Sequence, residues 1–78
     1  MKSRVFVTLK PNVLDPQGHA IEGALKSLGF KGFVSVRQGK IFDIELEELE
    51  GNPAQQLREA CEKLLANTVV EDFAIRDA

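Results

Sequence analysis

The chain has 78 residues, 28% of them charged, with ten Lys and Arg against twelve Asp and Glu and a formal net charge of −2. That length makes one domain, residues 1–78, which buries only about 60–65% of the surface its unfolded form exposes, so subunit association is a natural source of added stability. The acidic balance argues against general attraction to nucleic acid or anionic lipid, no apolar run approaches the roughly 20 residues of a membrane span, and the single cysteine leaves no internal disulfide.

Met1 to Arg4 runs straight into a strand pattern without the apolar segment of a signal peptide. Together with the lone cysteine, this makes a reducing, cytoplasmic setting the expected one. From Ser3 to Lys10 the pattern alternates: Val5, Val7 and Leu9 face one way, Arg4, Phe6, Thr8 and Lys10 the other. The stretch Leu9 to Ile21 then joins this strand to a helix through a stiff loop. Pro11 and Pro16 each fix a backbone φ and push the preceding residue towards extended geometry. Asp15 stands where an N-cap belongs, with Pro16 at the first helical position.

Ala20, Ile21, Ala24, Leu25 and Leu28 recur at helical spacing, and Gly29 supplies the stop. Phe33 to Arg37 reads as a second strand. Gln38-Gly39 reads as a short turn, with glycine providing a positive φ, so that Ile41 to Leu46 returns antiparallel with Phe42, Ile44 and Leu46 inward. Asn52 and Pro53 repeat the cap-and-proline signature of a helix start. Leu57, Cys61, Leu64 and Leu65 form the stripe of that helix, and Asn67 is placed for a left-handed stop. Val69 to Arg76 closes the chain as a strand with Phe73 and Ile75 inward.

The order is βαββαβ. Two right-handed crossovers put both helices on one face of a four-stranded antiparallel sheet, the α+β, ferredoxin-like sandwich. The other face then carries Phe6, Phe33, Ile41 and Val70, with Thr8 and Ala74, among Arg4, Arg37, Asp43 and Asp72. A patch so apolar points to a protein contact, and a second copy of the chain is the expected occupant.

The search for chemistry returns little. Cys61 lies on an apolar helical stripe with no second thiol near it and reads as a small hydrophobe. His19 sits in a first helical turn, where the helix dipole disfavours its charged form, and reads as a surface histidine. The two are far apart in sequence, which disfavours a transition-metal site. The acidic run Glu45 to Glu50 lacks the spacing and turn glycine of a calcium loop and reads as a solvated strand end. Lys10 and the first helix start could hold a phosphate, but Asp15 occupies the cap and repels an anion. Tyr and Trp are absent, so an RNA-binding sheet lacks its stacking residues. No GxGxxG or Walker sequence occurs. No catalytic, cofactor-binding or metal-binding residue is expected in this chain.

The segments Leu9-Lys10-Pro11-Asn12-Val13-Leu14-Asp15-Pro16-Gln17-Gly18, Leu28-Gly29-Phe30, Val36-Arg37-Gln38-Gly39-Lys40, and Cys61-Glu62-Lys63-Leu64-Leu65-Ala66-Asn67 followed by Val70-Glu71-Asp72-Phe73 closely resemble the PurS family. The likeness covers nearly the whole chain in order. Thr68 stands where many relatives have proline, a departure at the helix exit. The family is that of the small subunit of phosphoribosylformylglycinamidine (FGAM) synthase. The resemblance implies a homodimer or homotetramer that assembles with a PurL-type synthetase and a PurQ-type glutaminase. That complex carries out the ATP- and glutamine-dependent amidation of formylglycinamide ribonucleotide in purine biosynthesis. ATP and magnesium would belong to the synthetase subunit, while the small subunit bridges its partners and supports ammonia transfer.

On this reading the partner contacts fall on the proline loop and the neighbouring turn, at Lys10, Leu14, Asp15, Pro16, Gln17, Gly18, Arg37 and Lys40. Helix starting accounts for Asp15 and Pro16, but it does not account for an apolar Leu14 in a loop. An alternative of another class is a regulatory module resembling the ACT domain, which would bind an amino acid at the first loop. The proline stiffening speaks against it. An acylphosphatase-type enzyme would need an arginine cradle and a positioning asparagine on central strands, whereas Asn12, Asn52 and Asn67 fall in loops or caps.

Overall fold

The computed structural model describes residues 1–47 and 51–78. Three strands, β1 (Lys2–Leu9), β2 (Gly39–Glu45) and β3 (Glu71–Asp77), form an antiparallel sheet in the order β2-β1-β3. Two helices, α1 (Pro16–Ser27) and α2 (Pro53–Ala60), complete the α+β fold, and α2 runs on into a π-helical turn, Cys61–Leu65. The acidic residues Glu48 and Glu50, part of the expected solvated strand end, lie outside the described residues.

The alternation of β1 sets the layers. Ser3, Val5 and Val7 are buried, while Arg4, Phe6 and Thr8 face outward. Val5 lies opposite Phe42 and Ile75, and Val7 lies opposite Lys40 and Phe73. Leu57, Cys61 and Ala66 close over Val5 and Val7 to make the core, with Met1, Phe42, Ile44, Leu65, Phe73 and Ile75 packed around it. The Arg58 guanidinium stands 5.7 Å from the centre of the Phe73 ring and caps this core's rim.

The expected four-stranded sheet is corrected to three. Residues 30–38 form no strand among the described residues, so Phe33 to Arg37 lies outside the sheet. Nor do both helices cover the sheet. The α1 stripe is uncovered: Ala20, Ile21, Ala24 and Leu28 are exposed and Leu25 only half-buried. The helix and residues 30–38 instead project together as an arm, giving principal extents of 54 × 25 × 14 Å. Within the arm Phe30 and Phe33 meet edge to face, ring centres 6.0 Å apart.

The terminators divide into two groups. Asp15 caps α1, Asn52 caps α2 by accepting from the Ala54 and Gln55 amides, and Gly29 ends α1 at φ +91°. Gly39 and Asn67 work differently from expectation, since neither adopts a positive φ. A Cβ on Gly39 would lie 2.5 Å from the Val7 carbonyl oxygen, so close strand approach selects the glycine. Asn67 instead accepts the Val69 amide on its side chain, and its carbonyl accepts from Val70 and Glu71. The π turn explains another miss. Its wider winding carries the Ala66 amide to the Cys61 carbonyl at 2.9 Å, which buries Ala66 and leaves Leu64 83% exposed.

Candidate functional site

The last residue of β1 leads into a compact turn in which the Val13 amide donates to the Lys10 carbonyl at 2.9 Å. Lys10 is the knot of this corner. Its amide donates to the Val70 carbonyl at 2.9 Å, and its carbonyl also accepts Arg37 Nη2 at 3.0 Å. Its ammonium lies 2.8 Å from Asp72 Oδ1. Beside it Lys40 Nζ stands 3.7 Å from Glu71 Oε2, so both lysines are matched by carboxylates of β3.

Asp15 organises the second half of the site. It is 5% exposed, and its two carboxylate oxygens serve different segments. Oδ1 accepts the Gly18 amide at 2.9 Å as a helix cap, and Oδ2 accepts the Gln38 amide at 2.8 Å. These backbone donors, Gln38 first and then Gly18, hold the carboxyl below its ordinary range, with Arg37 adding to the effect against the opposing cost of desolvation. The Gln38 side-chain amide donates to Gln17 Oε1 just outside. Gly18 is required by proximity, since a Cβ there would lie 2.3 Å from the Val36 carbonyl oxygen. Thus the cap that starts α1 also pins the returning segment at the arm's root.

Between these groups lies an open cleft of about 390 Å³, its walls including Leu9, Asp15, Gln17, Gln38, Lys40 and Glu71. A smaller hollow of about 150 Å³ on the adjoining side is lined by Leu14, His19, Glu22, Val34 and Arg37, among others. Leu14 itself is 74% exposed. All eight loop and turn residues singled out in sequence therefore lie around the arm's root: Lys10, Leu14, Asp15, Pro16, Gln17, Gly18, Arg37 and Lys40.

The four residues assigned to one sheet face are not all together. Phe6 and Ile41 are cross-strand partners on the outer face, next to Ala74. Phe33 sits on the arm, and Val70 belongs to the turn before β3. Arg37, also expected on that face, is turned to Lys10. Gln38 and Glu71 are parts of the cleft that sequence reading missed. The Glu71 contact follows from strand register, which a sequence does not print, whereas Gln38 adjoins the flagged Arg37 and donates through its backbone.

The Asp15 oxygens are taken up by amides, and the cleft's amines face carboxylates, an arrangement suited to recognition. Among the described residues no group of three or more His, Cys, Asp or Glu side chains is placed to hold a metal ion. His19 is exposed, with Nδ1 3.4 Å from Glu22 Oε2. Cys61 is fully buried, and burial pushes its thiol pKa up, away from the reactive thiolate. No helix among the described residues is long and apolar enough to cross a membrane.

A family model described as PurS, phosphoribosylformylglycinamidine (FGAM) synthase, matches residues 2–77. The chain belongs to the PurS family. It is 46% identical over 71 residues to the PurS subunit of phosphoribosylformylglycinamidine synthase from Synechocystis, covering 90% of this chain and 71% of that one. A Bacillus subtilis PurS crystal structure superposes with a TM-score of 0.91 at 43% identity, over 96% of this chain and 94% of the other. A chain of the Thermotoga maritima PurLQS structure matches with a TM-score of 0.84 at 34% identity, over 99% and 95%. As a PurS protein, the chain is a subunit of FGAM synthase, the glutamine-dependent ligase of purine biosynthesis.

Proposed function

We propose that this chain is the bridging small subunit of the synthase and supplies no catalytic group of its own. It acts as one PurS domain, residues 1–78, joining a PurL-type synthetase to a PurQ-type glutaminase and supporting passage of ammonia between them. The reading is supported chiefly by the family match over residues 2–77, with a relative solved as part of PurLQS. ATP and magnesium are assigned to the synthetase partner, and the cytoplasm to the assembly. The arm's root is the proposed docking surface for the large subunits. Its polar groups are held in one geometry by mutual hydrogen bonds, which limits the entropy lost on docking, and Leu14 offers an apolar contact beside them. Self-association through the outer sheet face, around Phe6 and Ile41, is part of the same reading.

The test is reconstitution. Purified PurL-type and PurQ-type subunits should amidate formylglycinamide ribonucleotide with glutamine only when this chain is added. Full glutamine-dependent activity in its absence would overturn the bridging role.

A further inference from the structure

Of the basic side chains lining the two hollows at the arm's root, Arg37 is the one that no carboxylate matches. Lys40 stands 3.7 Å from Glu71, and His19 stands 3.4 Å from Glu22. The Arg37 guanidinium pairs with no carboxylate among the described residues, and its one hydrogen bond there runs from Nη2 to the Lys10 carbonyl at 3.0 Å. A guanidinium carries five N–H donors in a planar fork, so most of its bonding capacity is left to solvent. Two carboxylates do line the same hollow, but both are engaged elsewhere. The oxygens of Asp15 accept the Gly18 and Gln38 amides, and Glu22 lies between His19 and Lys26.

The position of Arg37 is prepared in advance. Lys10 is fastened by its amide to Val70 and by its ammonium to Asp72, so the carbonyl that holds Arg37 is itself fixed. A long cationic side chain ordered before docking loses less rotamer freedom on association. Its surroundings are apolar, since Leu14, 74% exposed, and Val34, 89% exposed, line the same hollow. A surface that covers these two side chains covers Arg37 with them, and burying an unpaired guanidinium is costly. The covering surface therefore has to bring the missing anion. The hollow, at about 150 Å³, suits a single side chain, whereas pockets for drug-sized ligands run to about 300–1,000 Å³. Asp15 and Glu22 in its wall repel a phosphate dianion more strongly than a singly charged carboxylate.

We propose that the hollow at Arg37 receives one Asp or Glu side chain of a large synthase subunit, flanked on that subunit by an apolar residue that covers Leu14 and Val34. The inference rests on the proposed bridging function and deepens it by naming the charge that the docking partner carries. Arginine suits the task because its fork meets a carboxylate through two parallel hydrogen bonds and its weak hydration eases burial. A subunit with a neutral or basic side chain at that point would leave Arg37 buried without a partner, so the contact selects the partner as well as binding it.

The experiment is titration calorimetry of the full chain into the mixed PurL-type and PurQ-type subunits at a series of salt concentrations. Arg37→Gln keeps an amide that can donate to the Lys10 carbonyl but removes the charge. It should bind about tenfold more weakly than the parent at low salt, and the gap should narrow as salt screens the parent's ion pair. Arg37→Lys, which keeps the charge and loses the fork, should fall between the two and retain the parent's salt dependence. In a scan replacing single surface carboxylates of the large subunits by lysine, one replacement should restore binding to Arg37→Glu. Parent affinity in Arg37→Gln overturns this inference alone, as does a loss that is equal at every salt concentration, which would make Arg37 a loop fastener. A scan in which no replacement restores binding overturns it too. A parent chain that binds neither large subunit overturns the bridging function and this inference with it.

Discussion

The carboxylate of Asp15 accepts the backbone amide of Gln38 at 2.8 Å, across 23 residues of sequence. Its other oxygen caps α1 through Gly18 at 2.9 Å, so one buried side chain fixes both the start of the helix and the place where the chain returns. Gln38 gains an acceptor that no strand partner provides. The arm's direction therefore depends on an ionised Asp15.

That dependence has a sign. The two amides favour the charged carboxylate, so its folded pKa lies below the ordinary value of 3.8. Such a group contributes stability that is fully present above its unfolded pKa and is lost as pH falls through the folded one. The acid limb of a melting-temperature profile, below about pH 4, should therefore include a step that Asp15→Asn flattens. At neutral pH the same variant should melt several degrees lower, because asparagine offers one acceptor oxygen where two amides need partners. An unchanged acid limb would assign the transition to other carboxylates.

Gly18 gives a second test of the arm's root. In a helix, replacing glycine by alanine ordinarily stabilises by about 0.5–1 kcal/mol. Here the new methyl would meet the Val36 carbonyl oxygen at 2.3 Å and Asp15 Oδ2 at 2.8 Å, and one of these contacts is backbone. Steric cost should win, with Gly18→Ala losing on the order of 1–3 kcal/mol in chemical denaturation. A variant as stable as the parent would show that the returning segment is not held there.

The helix starts were the most legible part of the chain, because Asp15-Pro16 and Asn52-Pro53 are local signals that need no tertiary knowledge. The inward residues of β1, β2 and β3 were legible for a similar reason: a period of two fixes a strand's faces. Residues 33–37 misled because Val34 and Val36 satisfy that same period without a neighbouring strand to pair with in this chain. The α1 stripe was recognised as apolar, but periodicity marks only an apolar face and does not place it against the chain's own sheet, where the structure leaves it uncovered. Among the site residues, those in the proline loop were marked by residues exceeding the needs of a simple connection. Glu71 and Asp72 carried no such mark, because their pairing with Lys40 and Lys10 arises from the registers of β2 and β3 against β1.

Cys61 should behave as packing. It is fully buried against Val5 and Val7, and its raised thiol pKa disfavours the nucleophilic form. Cys61→Ala should cost on the order of 1 kcal/mol and leave the reconstituted synthase active. Thiol-reagent labelling of the parent should be slow until denaturant opens the chain. Loss of activity with melting and assembly unchanged would instead reveal a chemical role.

On the outer sheet face, Phe6 lies between Ile41 and Ala74 across the two ladders, flanked by the exposed Arg4–Asp43 pair at 2.8 Å. An exposed ion pair of this kind contributes little, so the apolar row is what a covering surface would recognise. Phe6→Asp should leave the fold intact, because the side chain already faces out, while shifting self-association towards smaller species by introducing a carboxylate that is costly to bury. Sedimentation at micromolar concentration reads the shift. Wild-type assembly in the variant would clear this face of any role.

The docking surface is tested by Leu14→Asp and Arg37→Glu together with a split of the synthase reaction. Leu14 is 74% exposed, so its loss removes almost no packing from the free chain. Arg37 donates to the Lys10 carbonyl at 3.0 Å in an exposed position, and that bond contributes on the order of 1 kcal/mol. Both variants should therefore melt within a few degrees of the parent. If the arm's root holds the large subunits, glutamine-dependent amidation should fall several-fold or more, since truncating a central contact commonly costs over 1 kcal/mol in binding. Amidation driven by added ammonia should fall less, because it bypasses the glutaminase and needs only a working synthetase. Comparing the two rates separates a broken bridge from a damaged synthetase. Normal rates on both substrates with normal assembly would move the docking surface elsewhere, to the outer faces of the helices.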